Sequence, residues 1–236
     1  MREKVTISWS GGKDCSLALH KILQAEQYDV HSLHTTFNED TGRVGLHGIR
    51  QSLIEKQAES LGVQLDKVFI PTAEDHDAYE TSIRHYYERL FALGIKKIVF
   101  GDIFLEDLKA FREKILSSCH LEGIYPLWKM ESHSLAEEFV RSGFKAIICS
   151  ADANYFNEQT AGKHYDTNFI NSLPSEVDPC GENGEFHTFV FDGPIFKIPI
   201  AIRHGQRIAK EYHFKINRPD GSQESKTSKF WFQELD

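Results

Sequence analysis

A short glycine-rich segment near the N-terminus carries residue types that could hold an anion. It follows the apolar residues 5–9, we call it the glycine-rich loop, and it consists of Ser10, Gly11, Gly12, Lys13, Asp14, Cys15 and Ser16. Two adjacent glycines let the backbone turn tightly, and the peptide N–H groups at the start of the following helix then point at a bound anion. A phosphate is the natural ligand of such a loop. The alternative is a tight connection in which Ser10 or Asp14 caps the helix.

The spacing within this loop and the cysteine pattern exclude some chemistry. The Gly-x-x-x-x-Gly-Lys-Ser/Thr form of a Walker A loop is absent, so γ-phosphoryl transfer of the kinase kind is not expected. The four cysteines form no C-x-x-C pair, which disfavours a zinc site or a redox dithiol. Cys15 at a helix start could be a nucleophile with a lowered pKa, but the sequence places no base beside it.

A second segment, residues 175–188, concentrates charge in a turn-rich stretch. We call it the acidic loop; it holds four carboxylates, a histidine and two glycines and leads into a strand-like pattern. Its residues Glu182, Glu185 and His187 are of the types that act as general bases or bind a cation such as ammonium. A solvated surface loop is the alternative interpretation.

Both segments resemble those of known enzymes. The glycine-rich loop is similar to the PP-loop of N-type ATP pyrophosphatases, usually S-G-G-x-D-S, with Cys15 in place of the last serine. Because a thiol donates hydrogen bonds poorly, a side-chain contact to phosphate is weakened there unless Ser16 or the backbone supplies it. The acidic loop resembles the signature of the diphthine-ammonia ligase family, also called the diphthamide synthetase family. Further matching segments lie at residues 46–49, 101–103, 126–128, 161–163 and 192–194.

This resemblance implies an enzyme that uses ATP and Mg²⁺ to adenylate a carboxylate, releases AMP and pyrophosphate, and forms an amide with ammonia. Family members in eukaryotes and archaea amidate diphthine on elongation factor 2. Bacterial members exist where diphthamide does not, so the acceptor carboxylate can belong to a protein or to a small molecule. Two alternatives stay open: a PP-loop enzyme that modifies tRNA, and a sensor that binds adenine nucleotides without turnover.

The candidate site residues follow from local chemistry and from the resemblance. The glycine-rich loop and His47, which Gly45 and Gly48 flank, are expected to hold the nucleotide, with Asp14 a candidate contact for Mg²⁺. Asp102 is expected at the carboxyl end of a strand, where open α/β sheets bind ligands; an N-cap is its alternative role. Arg112 could grip a phosphate or carboxylate with two hydrogen bonds, or it could lie exposed in mid-helix.

Residues 178–188 of the acidic loop are expected to face the nucleotide and to act on the acceptor rather than on ATP. Its candidate catalytic residues are Glu182, Glu185 and His187, and the sequence does not single out the general base. The remaining histidines, including His31 and His34, are expected to have structural roles.

Hydrophobic periodicity predicts the elements that position these residues. Apolar runs alternating with helical patterns indicate β-α units, with strands at residues 5–9, 30–37, 67–70 and 97–101. Ile49, Leu53, Ile54, Ala58 and Leu61 fall on one helical face, and Gly62 is predicted to end that helix. A helix is predicted over residues 106–118, and a capping box that begins at Ser134 opens another, which leads to a strand at residues 146–149. Parallel order is expected to persist to that strand.

After Pro174 the pattern alternates with period two, which is typical of antiparallel strands. They are predicted at residues 186–191, 196–202 and 212–216, with turns at residues 192–194 and 218–221. The fold class is therefore α/β, a HUP-type doubly wound parallel sheet domain followed by a smaller α+β domain. The expected boundaries are residues 1–130 for the ATP-binding domain and 131–236 for the acceptor domain.

Composition limits the partners. The chain has 27 basic and 35 acidic residues, a net charge of −8, so it has no general attraction for nucleic acid or anionic lipid. No long apolar stretch predicts a signal peptide or a membrane span, and we expect a cytoplasmic protein.

Overall fold

A parallel sheet forms the first half of the chain. The computed structural model describes residues 2–71, 76–217 and 223–236. Strands β1 (Glu3–Ser8), β2 (Tyr28–Asn38), β3 (Gln64–Ile70), β4 (Lys97–Val99) and β5 (Glu122–Ile124) pair in the order β3-β2-β1-β4-β5, all parallel. The chain order therefore reverses at β1, and the crevice at the carboxyl ends beside β1 is where such sheets bind ligands.

Four helices connect these strands: α1 (Lys13–Ala25), α2 (Gln51–Leu61), α3 (His76–Ala92) and α4 (Glu106–Ser118). The predicted helix at residues 106–118 is confirmed, and α2 ends at Gly62 with a φ of 71°, as its glycine indicates. The apolar faces of α1 and α2 bury residues such as Leu19 and Leu53. This amphipathic burial explains why the sequence forms helices at these positions.

An antiparallel sheet forms the second half. Strands β6 (Lys145–Asp152), β7 (Phe186–Asp192), β8 (His204–Asn217) and β9 (Gln223–Leu235) pair in the order β7-β6-β9-β8, and helices α5 (Ser132–Arg141) and α6 (Thr167–Asn171) precede β6 and β7. The α/β fold class with a separate antiparallel sheet is thus confirmed. The predicted boundary between residues 130 and 131 stays a prediction.

The expectation that parallel order persists to residues 146–149 is wrong. That strand is β6, and it runs antiparallel to both β7 and β9. From its second residue onward every position of β6 is buried. A strand covered on both faces shows a continuous apolar run, which is the pattern that parallel strands usually have.

Two further local predictions are wrong. Residues 196–202 form no strand: Phe196 N–H bonds back to the Gly193 carbonyl in a turn, Lys197 N–H donates to Ser60 of α2, and Pro199 has no N–H to donate. Helix α5 begins at Ser132, two residues before the predicted capping box. Its cap is the Glu131 carboxylate, which accepts from the N–H groups of His133 and Ser134. The turn predicted at residues 218–221 lies outside the described residues.

The two sheets share one hydrophobic core. Buried Val5 and Ile7 of β1 belong to the same cluster as Phe186 and Phe189 of β7. A smaller cluster packs α3 and α4 against the face of β4 that carries Ile98. Among the helices of the described chain, none combines the length and apolar character that crossing a membrane requires.

Candidate active site

A cavity of about 390 Å³ lies at the carboxyl ends of β1, β2 and β4 and is closed on one side by the acidic loop. This volume falls in the usual range for small-molecule sites. The cavity brings together nine of the predicted site residues: Ser10, Lys13, Asp14, Cys15, His47, Asp102, Arg112, Glu182 and His187. Gly11, Gly12, Ser16 and Glu185 do not line it.

The glycine-rich loop needs its first glycine. Gly11 has a φ of +83°, and a Cβ added there would lie 2.6 Å from Ile54 Cδ1 and 2.8 Å from Gln57 Oε1. Both the left-handed backbone and the space therefore require glycine. Gly12 is the N-cap position of α1 and has no capping side chain, so the alternative in which Ser10 or Asp14 caps this helix is wrong.

The hydroxyl and the thiol at the end of the loop point back to the backbone. Ser16 Oγ donates to the Gly12 carbonyl at 2.8 Å, and Cys15 Sγ lies 3.1 Å from the same oxygen. Burial raises the pKa of Cys15. This shift disfavours the thiolate form that a nucleophilic cysteine needs.

A buried glutamine that the sequence analysis missed holds this loop in place. Gln57 of α2 is fully buried. Its Oε1 accepts from Trp9 Nε1 at 2.8 Å, and its Nε2 donates to the carbonyls of Gly11 at 3.1 Å and Val190 at 2.6 Å. The available signal was its place on the apolar face of α2, four residues before Leu61.

Strand β7 completes the support of the loop from the second sheet. Val190 N–H donates to the Gly11 carbonyl at 2.9 Å, and Lys13 N–H donates to Thr188 Oγ1 at 3.0 Å. His47 Nδ1 lies 3.3 Å from the Thr188 carbonyl. Because a carbonyl only accepts, His47 donates from Nδ1 and its Nε2 carries the lone pair.

Lys13 and Asp14 form an ion pair at the edge of the cavity. Lys13 is buried, and its Nζ lies 2.5 Å from Asp14 Oδ1. Burial alone would lower the pKa of Lys13, but the neighbouring Asp14 and Glu182 carboxylates outweigh it and raise that pKa. Burial, together with nearby Asp178 and Asp102, raises the pKa of Asp14 against the opposing effect of Lys13.

Asp102 and Arg112 form a second pair in the cavity wall. Arg112 Nε lies 2.7 Å from Oδ2 and Nη2 lies 3.2 Å from Oδ1 of Asp102, with the guanidinium 4.6 Å from the centre of the Phe100 ring. Burial disfavours the charge of Arg112, but Asp102 outweighs it and raises the pKa. Leu105 occupies the N-cap of α4, so the N-cap role for Asp102 is wrong. The Arg112 side chain is 22% exposed, so its exposed position is wrong as well.

Of the two acidic-loop glutamates predicted to be catalytic, Glu182 lines the cavity and Glu185 does not. Glu182 Oε1 accepts from Ile103 N–H at 2.7 Å, and burial together with the charge of Asp14 raises the pKa of Glu182 to about 7. Glu185 turns away from the cavity, because its Oε1 accepts from Asp178 N–H at 2.9 Å and from Asn183 Nδ2 at 3.0 Å. Glu185 therefore holds the loop together.

Three imidazoles lie at the cavity in their neutral form. The rings of His47 and His187 are 4.6 Å apart. Burial lowers the pKa of His47 to about 4, with Lys13 adding to the effect, and burial with His47 and Lys13 places the pKa of His187 well below its usual value. Among the described residues His187 Nε2 is buried without a hydrogen-bond partner. His34, expected to be structural, also lines the cavity, and burial lowers its pKa to about 3.

The donor set fits a magnesium ion that is held mainly by phosphates. Within the ranges that the structure describes, no three His, Cys, Asp or Glu side chains are grouped to hold a metal by themselves. Asp14 is about one-third exposed, and only its Oδ1 contacts Lys13. Magnesium in nucleotide sites commonly takes one or two carboxylates plus substrate phosphates, and Asp14 can supply one.

Comparison with known families covers both halves of the chain. The family model of the diphthamide synthase N-terminal domain matches residues 3–125, and that of the diphthamide synthase C-terminal domain matches residues 131–219. A solved structure titled as a predicted subunit of tRNA methyltransferase from Methanocaldococcus jannaschii is similar at 18% identity and a TM-score of 0.40, over 67% of this chain and 84% of that one. That likeness is too low to bear on function.

Curated relatives carry the name diphthine--ammonia ligase. The protein from Danio rerio is 28% identical over 224 residues, which are 82% of this chain and 84% of that protein. The protein from Schizosaccharomyces pombe is 26% identical over 61% of this chain but only 24% of its own length. The protein from Mus musculus is 25% identical over 48% of this chain and 45% of its own length. The chain thus matches less than half of the length of the last two.

Proposed function

Because the chain belongs to the diphthamide synthase family, we propose that it is an ATP-dependent ligase that adenylates an acceptor carboxylate and then forms an amide with ammonia, releasing AMP and pyrophosphate. The observation that supports this most is that the glycine-rich loop and the acidic loop line one cavity. A site for phosphates and a site for ammonium, from which the ammonia nucleophile forms by loss of a proton, are then within reach of one acceptor.

In the first step, the glycine-rich loop holds the β- and γ-phosphates as they become pyrophosphate. The N–H groups at the start of α1 and the charged Lys13 stabilise the negative charge that develops on the leaving group. Mg²⁺, when bound beside Asp14, would neutralise further phosphate charge. Arg112 and Asp102 form the opposite wall, where Arg112, held by Asp102, orients an anionic group of the nucleotide or the acceptor.

In the second step, Glu182 binds ammonium and takes a proton from it. A carboxylate whose pKa is about 7 is partly ionised at neutral pH, as a general base requires. Glu182 rather than Glu185 has this role, because Glu185 faces its own loop. The neutral His187 lines the same cavity, its Nε2 has no hydrogen-bond partner in the described part of the chain, and it orients the acceptor or the nucleophile.

Product analysis tests this proposal. The chain is incubated with ATP, Mg²⁺, ammonium and candidate acceptors, namely diphthine-bearing elongation factor 2 and small carboxylic acids. AMP and pyrophosphate that appear only with an acceptor support the ligase. ADP and phosphate would contradict the class, transfer to tRNA would favour the tRNA-modifying alternative, and tight nucleotide binding without turnover would favour a sensor.

Glu182→Gln tests the division of roles. Amide formation should fall about 100-fold or more while ATP affinity stays near that of the wild type. Glu176→Gln is the matched control, since Glu176 is an exposed carboxylate of the same loop that does not line the cavity. Equal loss of ATP binding and amide formation in Glu182→Gln would contradict this role.

A further inference from the structure

The start of helix α1 receives a hydrogen-bond partner from the second sheet. Lys13, Asp14 and Cys15 are its first three residues, and N–H groups in this first turn have no partner inside a helix. Gly12 has no side chain that could cap them. Thr188 of β7, 175 residues further along the chain, accepts the N–H of Lys13 through its hydroxyl oxygen at 3.0 Å.

The Thr188 hydroxyl still has a hydrogen to donate. Thr188 is buried, with a relative exposure of 3%, and it lines the cavity beside the glycine-rich loop. Within the described residues, the bond accepted from Lys13 is the only hydrogen bond of this hydroxyl. A hydroxyl can accept and donate at once, so the Lys13 bond leaves its O–H free.

The surroundings of this O–H favour an anion. The Lys13 ammonium is kept charged by its neighbours, and the nearby His47 and His187 are neutral. The one carboxylate of β7, Asp192, pairs with Lys145 at 2.7 Å and does not line the cavity. Among the residues that the structure describes, the N–H groups of Asp14 and Cys15 have no hydrogen-bond acceptor, so they are left for the same ligand.

We infer that Thr188 is a phosphate-binding residue, contributed by the second sheet, whose hydroxyl donates to the pyrophosphate portion of the nucleotide. This inference rests on the proposed function and changes one part of it, because the end of the acidic loop then acts on ATP rather than on the acceptor. The phosphate site is composite: strand β1 and helix α1 supply the loop, and β7 supplies a hydroxyl.

Titration of magnesium pyrophosphate and of AMP into the full chain, followed by calorimetry, tests the inference. Thr188→Val keeps the branched shape but removes the hydroxyl, and should weaken pyrophosphate binding about 10- to 100-fold, as expected for a lost hydrogen bond to a charged group. AMP affinity should be unchanged. Thr188→Ser should restore pyrophosphate binding, and Thr188→Ala gives the same comparison if the valine variant fails to fold.

Thr6→Val is the matched structural control. Thr6 is a fully buried strand residue whose hydroxyl bonds the Ser32 carbonyl at 3.0 Å, and it does not line the cavity. It should lose stability but keep pyrophosphate affinity. Unchanged pyrophosphate binding in Thr188→Val, or equal loss of pyrophosphate and AMP, would overturn the inference and leave the ligase proposal standing. A wild-type chain that binds neither ATP nor pyrophosphate would overturn both.

Discussion

Replacing Gln57 with leucine should show how strongly the glycine-rich loop depends on one buried amide. Leucine is similar in size but cannot form the hydrogen bonds to Trp9, Gly11 and Val190. The Gly11 carbonyl keeps its bond from Val190 N–H. The substitution therefore leaves two buried groups without their hydrogen-bond partner, the Trp9 indole N–H and the Val190 carbonyl. Each buried polar group left without its partner costs about 1–3 kcal/mol, which gives about 2–6 kcal/mol in total.

This loss is measurable by thermal unfolding. For a chain of this size, about 2–4 °C of Tm is lost per kcal/mol, so the Tm of Gln57→Leu should fall by about 4–24 °C. ATP affinity, measured well below the Tm, should fall as well, because Gly11 loses one of the contacts that fix its carbonyl. Gln51→Leu is the control: it lies on the same helix and loses only a part-buried bond to Glu55. A Gln57→Leu variant as stable as this control would refute the reasoning.

Three further outcomes are expected. Gly11→Ala should abolish nucleotide binding in a filter or calorimetric assay, because its Cβ would lie 2.6 Å from Ile54 Cδ1 in a left-handed backbone; near-normal affinity would be contrary evidence. Cys15→Ser should keep or slightly improve ATP affinity, since a hydroxyl donates better than a thiol, and loss of turnover would reveal a nucleophilic role. Because folding raises the pKa of Glu182 to about 7, ionising it costs stability as pH rises from about 4.5 through about 7. The Tm of Glu182→Gln relative to wild type should therefore increase across that range, and a pH-independent difference would contradict the shifted pKa.

Local patterns predicted the first half of the fold well. The helix at residues 106–118 and the Gly62 end of α2 depend on periodicity and on a glycine at the helix end, both of which are encoded within one or two turns. The three-residue strand β5 and the long β9 were not predicted. Strand β5 is too short to show a periodicity, and β9 begins with seven polar residues, 223–229, that show no apolar alternation. Strand β6 was assigned the wrong sheet because its partners β7 and β9 lie far along the chain from it.

The site was predicted where short motifs define it and missed where distant segments meet. The glycine-rich loop and Glu182 were visible as strings of residues. Gln57 and Thr188 matter through contacts across 133 and 175 residues, and neither residue type is unusual in its own segment. The exclusion of Glu185 from the cavity depends on the hydrogen bonds that it accepts from Asp178 and Asn183 in its own loop, which no spacing rule encodes.

The hydrophobic cluster that joins β1 to β7 couples the unfolding of the two sheets. When two segments bury the same side chains, neither can open without exposing the other, so they belong to one unfolding unit. Phe186 and Phe189 belong to the same buried cluster as Val5 and Ile7, so detaching their segment would open that cluster to water. The boundary between the two matched family domains therefore does not separate two independent folding units. A fragment that ends at residue 130 should expose apolar surface and aggregate rather than fold alone.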